Sequence, residues 1–457
     1  MRDRPDRTSA SQPSAADVVY LLIFGGWAKE LRGNRWHYAV RWARGHEVVL
    51  VQPGTRKRRS VVAEERIPGC RILELSALTP VGDVLADISE RGYKTPVLWA
   101  YNPLLLSVYA STPAVARVFH ATENFYDFAG IDSRFLERLE ASVSISDLTV
   151  AVSEGVAAAL RARVADAPIT VVTNGCDYRS YSEPTPDREL LAAKAGRERI
   201  AVYAGNINGR LDYRLLARCA TLHPSTLFAL FGPVKDLDRE QRAIWKSLLT
   251  LPNVRHYGPV DPERLPGIYG AADVGLIPYA RTPVLVENGF PLKALEMCAA
   301  GLPVVSTFMR PLLGLTPGIT VAATAEDFST ALSGSARGNL TSEARASMAA
   351  VCRANDYDAK FEAVRAQLHG VLGERRRPET KVDRAVNTLR PELAQTLLLE
   401  IAPSRGVRRR LTRAPLLRAR GIAIEVIGAV PPSIRRVLPS RLRRFVVRRV
   451  LGLAQDT

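Results

Sequence analysis

One passage of the sequence combines residue types that could bind a phosphorylated ligand. Residues 273–307 read DVGLIPYARTPVLVENGFPLKALEMCAAGLPVVST. A strand-like apolar run ends near Pro278, and a helix is expected to begin near Pro291, because proline is tolerated in the first turn of a helix. Gly301 and Pro303 are expected to end that helix. A helix N-terminus that follows a strand favours phosphate, since its free N–H groups and its dipole both attract negative charge.

Two charged residues lie in that predicted helix. Lys293 is one of only nine lysines in the chain, and in the first turn its ammonium would add positive charge beside a diphosphate. Glu296 is three residues further along and therefore on the same helix face. Its carboxylate could accept hydrogen bonds from two neighbouring ribose hydroxyls. The spacing alone is equally compatible with a surface Lys–Glu pair on an ordinary helix.

The elements that would position these residues follow an α/β pattern. Short apolar runs alternate with segments of helical period, which indicates βαβ units and parallel sheets. The strand-like runs fall at 18–24, 47–52, 96–100, 115–119, 148–152 and 169–172, and then at 200–204, 227–231, 254–257, 274–277 and 303–306. A polar segment separates the two series, which predicts two doubly wound, Rossmann-like domains. The predicted organisation is a disordered leader at 1–16, a first domain at 17–182, a linker at 183–198, a second domain at 199–354, a crossover helix at 355–373 and a basic tail at 374–457.

Composition excludes several classes of protein. The 457 residues are ample for two buried cores, and five scattered cysteines without CxxC spacing predict neither a disulfide framework nor a zinc site. No apolar run reaches the roughly 18 residues that span a bilayer. The net charge of +17 is uneven: residues 374–457 hold 20 Lys+Arg and 7 Asp+Glu, so 13 of the 17 charges lie there.

The passage at 273–307 resembles the C-terminal signature of GT-B glycosyltransferases, specifically the family 4-like group related to teichuronic acid and exopolysaccharide glycosyltransferases. The resemblance covers roughly residues 17–372 and implies a GT-B fold, with two Rossmann-like domains facing a cleft and a basic, mainly helical C-terminal extension. Four other stretches stand in the order that the family requires: RGHEVVLV at 44–51, DLTVAVSEGVAAAL at 147–160, VVTNGCD at 171–177 and YAGNINGRLDYRLL at 203–216.

The resemblance places a nucleotide-sugar donor in the second domain. Arg210 could make a two-pronged contact to phosphate, although a plain turn with a solvated arginine is equally compatible. Many family members carry two glutamates eight positions apart, whereas this chain has Asn288 before Glu296, which leaves open whether the anomeric configuration is retained or inverted. The implied donor-binding residues are Gly205, Asn208, Arg210, Tyr279, Asn288, Gly289, Phe290, Pro291, Leu292, Lys293 and Glu296.

The first domain would supply the catalytic base and the acceptor site. An acceptor hydroxyl needs a base within hydrogen-bond reach, and the loop expected after residue 119 holds Glu123, the preferred candidate, and His120, the second. A capping carboxylate and a packed histidine are the structural alternatives. The predicted acceptor-side residues are Gly25, Gly26, Trp27 and Arg35.

No cofactor or metal ion is expected. The segment FGGWAKE at 24–30 lacks the GxGxxG dinucleotide fingerprint. The histidines are dispersed, without HExxH, and no DxD pair stands where a metal-dependent transferase would hold a diphosphate. The resemblance implies metal-independent transfer, with the nucleotide sugar as co-substrate.

The C-terminal tail suggests where the protein works. Residues 401–457 hold 14 arginines and two acidic residues, and SRLRRFVVRRVLGL at 440–453 is basic and amphipathic. This pattern favours an anionic membrane face, which would make the protein cytoplasmic and peripheral on the inner face of the plasma membrane. Nucleic acid is disfavoured because Phe445 is the only aromatic residue in the segment. The remaining alternative is a helical appendage that packs on the enzyme or binds an acidic partner.

The predicted function is transfer of a sugar from a nucleotide-sugar donor to a glycan or lipid-linked acceptor, in cell-envelope polysaccharide or glycolipid synthesis. A nucleotide-sugar epimerase of GT-B fold would keep the donor site but need no acceptor. A basic, non-catalytic scaffold with a degenerate transferase core would bind no sugar nucleotide.

Overall fold

A computed structural model describes residues 16–24, 26–30, 32–127, 130–374 and 378–401. The first domain is built on an eight-stranded sheet, in the order β3-β4-β2-β1-β5-β6-β7-β8, in which β3 alone is antiparallel to its neighbour. Its strands are β1 Val18–Leu22, β2 Glu47–Pro53, β3 Ser60–Ala63, β4 Cys70–Leu75, β5 Pro96–Ala100, β6 Ala116–Ala121, β7 Leu148–Ala151 and β8 Ile169–Val171.

The second domain holds a six-stranded, all-parallel sheet in the order β11-β10-β9-β12-β13-β14. The strand order reverses direction next to β9, which is the doubly wound arrangement whose ligands bind at the carboxyl ends of the strands. Its strands are β9 Arg199–Ala204, β10 Thr226–Phe231, β11 Val254–Gly258, β12 Val274–Ile277, β13 Val304–Thr307 and β14 Ile319–Ala322.

Helices connect the strands and cover both faces of each sheet. In the first domain and the connection that leaves it they are α1 Asn34–Trp42, α2 Pro80–Arg91, α3 Leu106–Ser111, α4 Ser133–Ser144, α5 Glu154–Arg161, α6 Tyr178–Tyr181 and α7 Arg188–Ala193. In the second domain they are α8 Tyr213–Leu222, α9 Arg239–Leu248, α10 Leu265–Ala271, α11 Pro283–Asn288, α12 Leu292–Ala299, α13 Ala325–Gly334 and α14 Ser342–Ala354. The C-terminal helices are α15 Tyr357–Glu374, α16 Val382–Thr388 and α17 Pro391–Ile401.

The first sheet separates two apolar clusters because alternate residues of a strand face opposite sides. Val19 and Leu21 of β1 join one cluster, which α1 and the crossover helix α15 cover through Tyr38 and Phe361. Val18, Tyr20 and Leu22 join the other cluster, on the opposite face. The long helix after the second domain therefore returns to the first domain and forms part of its core.

Two chain crossings lie side by side between the domains. The backbone N–H of Cys176 donates to the carbonyl of Asn355 at 3.1 Å, and that of Tyr357 donates to the carbonyl of Cys176 at 2.9 Å. An added Cβ at Gly175 would lie 2.4 Å from the Asn355 oxygen, so only glycine fits this crossing. The two segments that link the domains are thus held together as one unit.

The C-terminal segment differs in part from the sequence interpretation. Residues 378–401, assigned there to the basic tail, add α16 and α17 to the second face of the first sheet, where Leu389, Leu393 and Leu397 are buried. Of the leader predicted at 1–16, residues 1–15 lie outside the described residues, as does the amphipathic segment at 440–453. Within the described ranges, every helix is too short or too polar to traverse a bilayer.

Candidate active site

A cleft of about 870 Å³ lies between the two domains at the carboxyl edges of their sheets. Loops that follow β1, β5, β6 and β7 line one side, and loops that follow β9, β10, β11 and β12 line the other. This is where doubly wound folds bind ligands. Every donor-side residue predicted from the sequence lines this cleft: Gly205, Asn208, Arg210, Tyr279, Asn288, Gly289, Phe290, Pro291, Leu292, Lys293 and Glu296.

The N-terminus of α12 meets the loop after β9 through Lys293. The Nζ atom of Lys293 lies 4.1 Å from the ring centroid of Tyr203 and 5.4 Å from that of Tyr279. A Cβ added to Gly205 would come within 2.3 Å of the same Nζ atom. The helix begins after Pro291 without any side-chain cap, so the N–H groups of Leu292 and Lys293 remain available to a ligand, while that of Ala294 donates to the Pro291 carbonyl at 3.0 Å. A positive charge and a helix N-terminus therefore converge on a glycine backbone, which suits a diphosphate.

Glu296 lies one turn beyond Lys293 and also faces the cleft. Removal of its carboxyl group from water raises the pKa to about 7, while the ammonium of Lys293 and a hydrogen bond from Tyr181 oppose that rise, and the charge of Asp177 adds to it. A half-buried carboxylate in this setting retains free acceptor positions for hydroxyl donors. Its placement suits two neighbouring hydroxyls of a ribose.

The loop after β9 requires glycine at one position and tolerates other residues at another. Gly205 has φ +151°, a conformation that L side chains rarely adopt. A Cβ at Gly232, in the loop after β10, would lie 1.9 Å from the Gly205 oxygen, so the two backbones touch. At Gly209 the nearest atom would be 3.5 Å away, an ordinary contact. The close approach of two backbones at Gly205 is thus imposed by the protein's own packing.

Arg210 and Glu123 face each other across the cleft. A guanidinium nitrogen of Arg210 donates to the Glu123 carboxylate at 3.1 Å, with both side chains partly exposed. Arg210, which is predicted to bind phosphate, and Glu123, the predicted base, are therefore paired with each other. An exposed ion pair contributes only about 0–1 kcal/mol to stability. The guanidinium of Arg210 can therefore leave Glu123 and bind a diphosphate instead.

Asn288 contacts the first domain rather than only the cleft. Its side-chain nitrogen donates to Asp127 at 3.4 Å, and its amide oxygen lies over the backbone of Gly155 at the start of α5, 1.7 Å from where a Cβ would be. The preceding Glu287 pairs with Arg310 at 2.6 Å. The position that holds a glutamate in many relatives thus forms part of the domain interface here.

Three residues assigned to catalysis or acceptor binding are not among those that line the cleft. His120 is wholly buried among Tyr38, Trp99 and Tyr101, and burial lowers its pKa to about 3. The strand β6 extends to Ala121, which places His120 in the sheet and not in the following loop. His120 therefore cannot reach an acceptor hydroxyl, and the alternative of a packed histidine describes it correctly.

Trp27 is a core residue as well. It is fully buried, stacks on Trp36 with ring centroids 5.9 Å apart, and donates its indole N–H to Glu64. Gly26 precedes it with φ +72° and is not part of the cleft lining. Gly25 lies outside the described residues. Of the acceptor-side predictions, Arg35 alone is placed in the cleft.

The first-domain side of the cleft holds buried polar atoms without a hydrogen-bond partner within the described residues. They include Nη1 of Arg35, the hydroxyl of Tyr101 and the amide oxygen of Asn124. The carboxylate of Glu30 accepts a hydrogen bond from Nη2 of Arg35 and another from the backbone N–H of Gly33 at 2.8 Å. Polar groups left unpaired at a cleft are costly unless a ligand satisfies them, so this side is suited to a hydroxyl-rich molecule.

Sequence reasoning missed several residues of the cleft. The ammonium of Lys293 lies over the ring of Tyr203, and the hydroxyl of Tyr181 donates a hydrogen bond to Glu296. Asn174 links the two domains, since its side chain accepts from Asn34 at 2.8 Å and donates to the Phe290 carbonyl at 3.0 Å. Tyr203 is the penultimate residue of β9 and belongs to a stretch that the sequence singled out, so its position was the available signal. Tyr181 had no local signal, because its contact depends on how the linker packs.

No metal centre is evident in the described part of the chain. It contains no group of three or more His, Cys, Asp or Glu side chains placed to hold a metal ion. The charged groups at the donor side of the cleft are instead Lys293, Arg210 and Glu296.

Comparison with known proteins gives two kinds of match. Residues 198–334 match the family described as Glycosyl transferases group 1. A 142-residue stretch is 36% identical to the "Putative teichuronic acid biosynthesis glycosyltransferase TuaH" of Bacillus subtilis, covering 30% of this chain and 34% of that protein. The alignment thus spans about a third of that relative.

Solved structures match over most of the chain. Sucrose-phosphate synthase from Thermosynechococcus elongatus aligns with TM-score 0.59 and 18% identity, over 78% of this chain and 98% of that one. HepE of Anabaena in complex with UDP and glucose aligns with TM-score 0.56 and 13% identity, over 77% and 99%. At such identities the likeness establishes the fold.

This chain has the GT-B fold, and its residues 198–334 match a group 1 glycosyltransferase domain. The matched range 198–334 contains every donor-side residue named above. It ends before α15, and it excludes the first domain with Glu123 and Arg35. In this GT-B chain the family match therefore bears on the donor side of the cleft, while the acceptor side is described by its geometry.

Proposed function

We propose that this protein transfers a sugar from a nucleotide-sugar donor to a glycan or lipid-linked acceptor in the synthesis of a cell-envelope polysaccharide or glycolipid. The names of its relatives support this direction: TuaH carries the name of a teichuronic acid biosynthesis glycosyltransferase, and HepE was solved with UDP and glucose. The proposal extends these properties to the present chain.

One observation carries the proposal. Lys293, the uncapped start of α12 and the backbone of Gly205 converge at one point of the cleft, with Glu296 one turn away. A diphosphate fits the first three, and a ribose fits the carboxylate. The distance of one helical turn between Lys293 and Glu296 matches the succession of phosphate and ribose in a nucleotide.

The proposed reaction follows from the two sides of the cleft. The acceptor oxygen bonds to the anomeric carbon of the donor, the bond from that carbon to the diphosphate breaks, and the nucleoside diphosphate leaves with the electron pair. Lys293 and Arg210 stabilise the charge on the leaving group. When Arg210 turns to the diphosphate it releases Glu123, whose carboxylate then takes the acceptor proton. We propose no divalent cation in this step, because these cationic groups already face the leaving group.

We further propose that the protein works in the cytoplasm, at the inner face of the plasma membrane, with the tail at 402–457 attaching to anionic lipid. Lys and Arg near such a surface each contribute about 1 kcal/mol. A chain that ends at Ile401 should bind vesicles of anionic lipid more weakly than the full chain. Equal binding would reject the role of the tail.

A thermal-shift panel of UDP-, GDP- and dTDP-sugars tests the donor proposal. A ligand that binds only the folded state raises the melting temperature, by an amount equivalent to about 2.7 kcal/mol at a hundred times its Kd. We expect one nucleotide series to raise it, and Lys293→Met to remove that rise. Lys246→Met, which removes an exposed lysine on α9, is the matched control and should keep the rise. Absence of any shift in the wild-type protein would contradict the proposal.

A further inference from the structure

The carboxyl edge of the first sheet displays exposed apolar and basic side chains on adjacent loops. The strands β4, β2, β1 and β5 are neighbours in the sheet and run parallel. The loops that follow them therefore emerge in a row along one edge. This row is called here the rim and comprises Phe24, Arg56, Lys57, Arg58, Leu78 and Leu104.

The apolar residues of the rim are exposed to an unusual degree. Leu78 after β4, Phe24 after β1 and Leu104 after β5 are 42%, 53% and 48% exposed. Val61 and Val62 of the edge strand β3 are 43% and 55% exposed as well, but they face opposite sides of the sheet and are not counted in the rim. Single exposed apolar residues need no explanation, but a row of them along one edge marks a contact surface.

The basic residues lie between these apolar ones. Arg56, Lys57 and Arg58 follow β2, are all exposed, and form no ion pair within the described residues. The carbonyl of Arg56 accepts from the backbone N–H of Ala77 at 2.9 Å, so the basic loop lies beside the loop of Leu78.

Two other charged groups lie near this loop. Arg59 is paired with Glu90. The half-buried Glu74 accepts from the hydroxyl of Ser60 at 3.1 Å. Three cations therefore remain for an external partner.

We propose that the rim binds the surface of an anionic lipid bilayer. Leucine and phenylalanine side chains interleaved with Lys and Arg are suited to the boundary between headgroups and acyl chains. Nucleic acid would be bound chiefly through aromatic stacking and backbone contacts, whereas Phe24 is the single aromatic side chain of the rim. The combination of cations with uncovered aliphatic groups favours lipid.

The position of the rim has a consequence for the acceptor. Phe24 belongs both to the rim and to the lining of the cleft. A bilayer in contact with the rim would therefore face the first-domain opening of the cleft. Under the proposed function, a lipid-linked acceptor would reach the first-domain side without leaving the membrane. Lipid binding by the rim is separate from the donor site and from the tail.

Vesicle sedimentation with the full chain tests the rim. The triple variant Arg56→Gln, Lys57→Gln, Arg58→Gln should lower partitioning onto vesicles of phosphatidylglycerol and phosphatidylcholine at least tenfold, since each cation contributes about fivefold. The matched control is Arg239→Gln, Arg242→Gln, Lys246→Gln, which removes three exposed charges from α9 of the second domain. It should bind within twofold of wild type. Equal losses in both variants, or none in the rim variant, would overturn the proposal.

A label at the rim tests the contact directly, whatever the tail contributes. All five native cysteines are buried, so Leu78→Cys can be labelled selectively with a polarity-sensitive dye. Anionic vesicles should shift its emission to the blue, and the same dye at Leu249→Cys, on the second domain, should not respond. No shift at position 78, or a shift with RNA but not with vesicles, would overturn the proposal. Donor affinity by calorimetry is measured separately, so a failure of the rim leaves the donor site untouched.

Discussion

At the scale of single residues, Glu296 combines a proposed role in donor binding with a raised pKa. It is the proposed hydrogen-bond acceptor for the donor ribose, and burial raises its pKa to about 7, so its protonation changes near neutral pH. Lys293 lowers that pKa but does not restore the value of an exposed glutamate. Donor binding to the ionised form must therefore release a proton at acidic pH.

This predicts a pH dependence with a definite sign. Donor affinity should be constant above the pKa of Glu296 and fall as pH decreases below about 7, by up to tenfold per pH unit. Calorimetry at pH 6 in buffers of different ionisation enthalpy should show proton release, and at pH 8 almost none. Glu296→Gln should bind weakly at both values without proton release. A wild-type affinity that stays flat down to pH 5.5 would exclude ionisation of Glu296 as the controlling step.

Glu123 is the proposed catalytic base. Glu123→Gln keeps the shape but removes the proton acceptor and the ion pair to Arg210. Turnover should fall at least a hundredfold, the lower end of what a general base contributes. Donor affinity should stay within about fivefold of wild type, since exposed ion pairs contribute about 0–1 kcal/mol. Near-normal turnover would move the base to another residue.

At the scale of elements, the proposed donor site depends on two backbone conformations that favour glycine. Gly205 has φ +151°, and Gly232 packs against it. The contact joins the loop after β9 to the loop after β10 and fixes where Lys293 can lie. The geometry of the site is therefore set by loop backbones as much as by charged side chains.

Substitution of Gly205 tests this dependence. Gly205→Ala should lower the free energy of unfolding by about 1–3 kcal/mol, because the residue keeps a strained φ, and should weaken donor binding at least tenfold as the new methyl displaces Lys293. Gly209→Ala, in the same loop, has ordinary space and should change the unfolding free energy by less than about 0.5 kcal/mol. Chemical denaturation compares the two. Equal stability of both variants would show that the loop adjusts freely.

The elements that the sequence predicted well are those with strong local signals. The spacing of Lys293 and Glu296 on one helix face and the proline at its start are local properties, and both lie in the cleft as expected. The prediction of His120 as a base is wrong because strand β6 continues two residues beyond the predicted end at 119, where His120 pairs with Val150 of β7. Where a strand ends depends on its neighbour in the sheet, which no local pattern contains.

Other differences also arose from tertiary contacts. The strands β3, β4 and β14 were not predicted. Of these, β3 is short and exposed, and apolar and polar residues alternate only weakly along β4. Segment 378–401 was assigned to the tail because of its place next to a basic stretch. The four-residue spacing of Leu393 and Leu397 indicates a helix that buries one apolar face.

At the scale of the whole molecule, the C-terminal segment is part of the first domain as far as Ile401. The leucines at 389, 393 and 397 and Ala385 are buried against the first sheet's second face. The backbone of Glu379 also exchanges hydrogen bonds with Ala114 at 3.0 and 3.1 Å. Any shortened chain must therefore end after this segment to keep the first domain intact.

Truncation provides a direct check. A chain ending at Ile401 should unfold at the same denaturant concentration as the full protein. A chain ending at Gly373 should lose about 5 kcal/mol or more, since full burial of each leucine is worth roughly 1.5–3 kcal/mol. Equal stability of both truncated chains would show that α16 and α17 only rest on the surface.

The two domains meet at the cleft through few polar contacts. Arg32 of the first domain pairs with Glu263 of the second at 2.7 Å, and Arg210 pairs with Glu123. These pairs are exposed or partly exposed and hence weak, while the crossings at Cys176 and Asn355 keep the domains attached. A ligand that binds in the cleft can thus replace one partner of these ion pairs without unfolding either domain.

Calorimetric titration of the nucleotide sugar identified in the thermal-shift panel tests the central claim most directly. The wild-type protein should bind one donor molecule, and Glu296→Ala should weaken binding at least tenfold. Glu287→Ala, which removes an exposed glutamate nine residues earlier that does not line the cleft, should bind as wild type. Unchanged affinity of Glu296→Ala, or an equal loss in both variants, would contradict the assignment of this cleft as the nucleotide-sugar site.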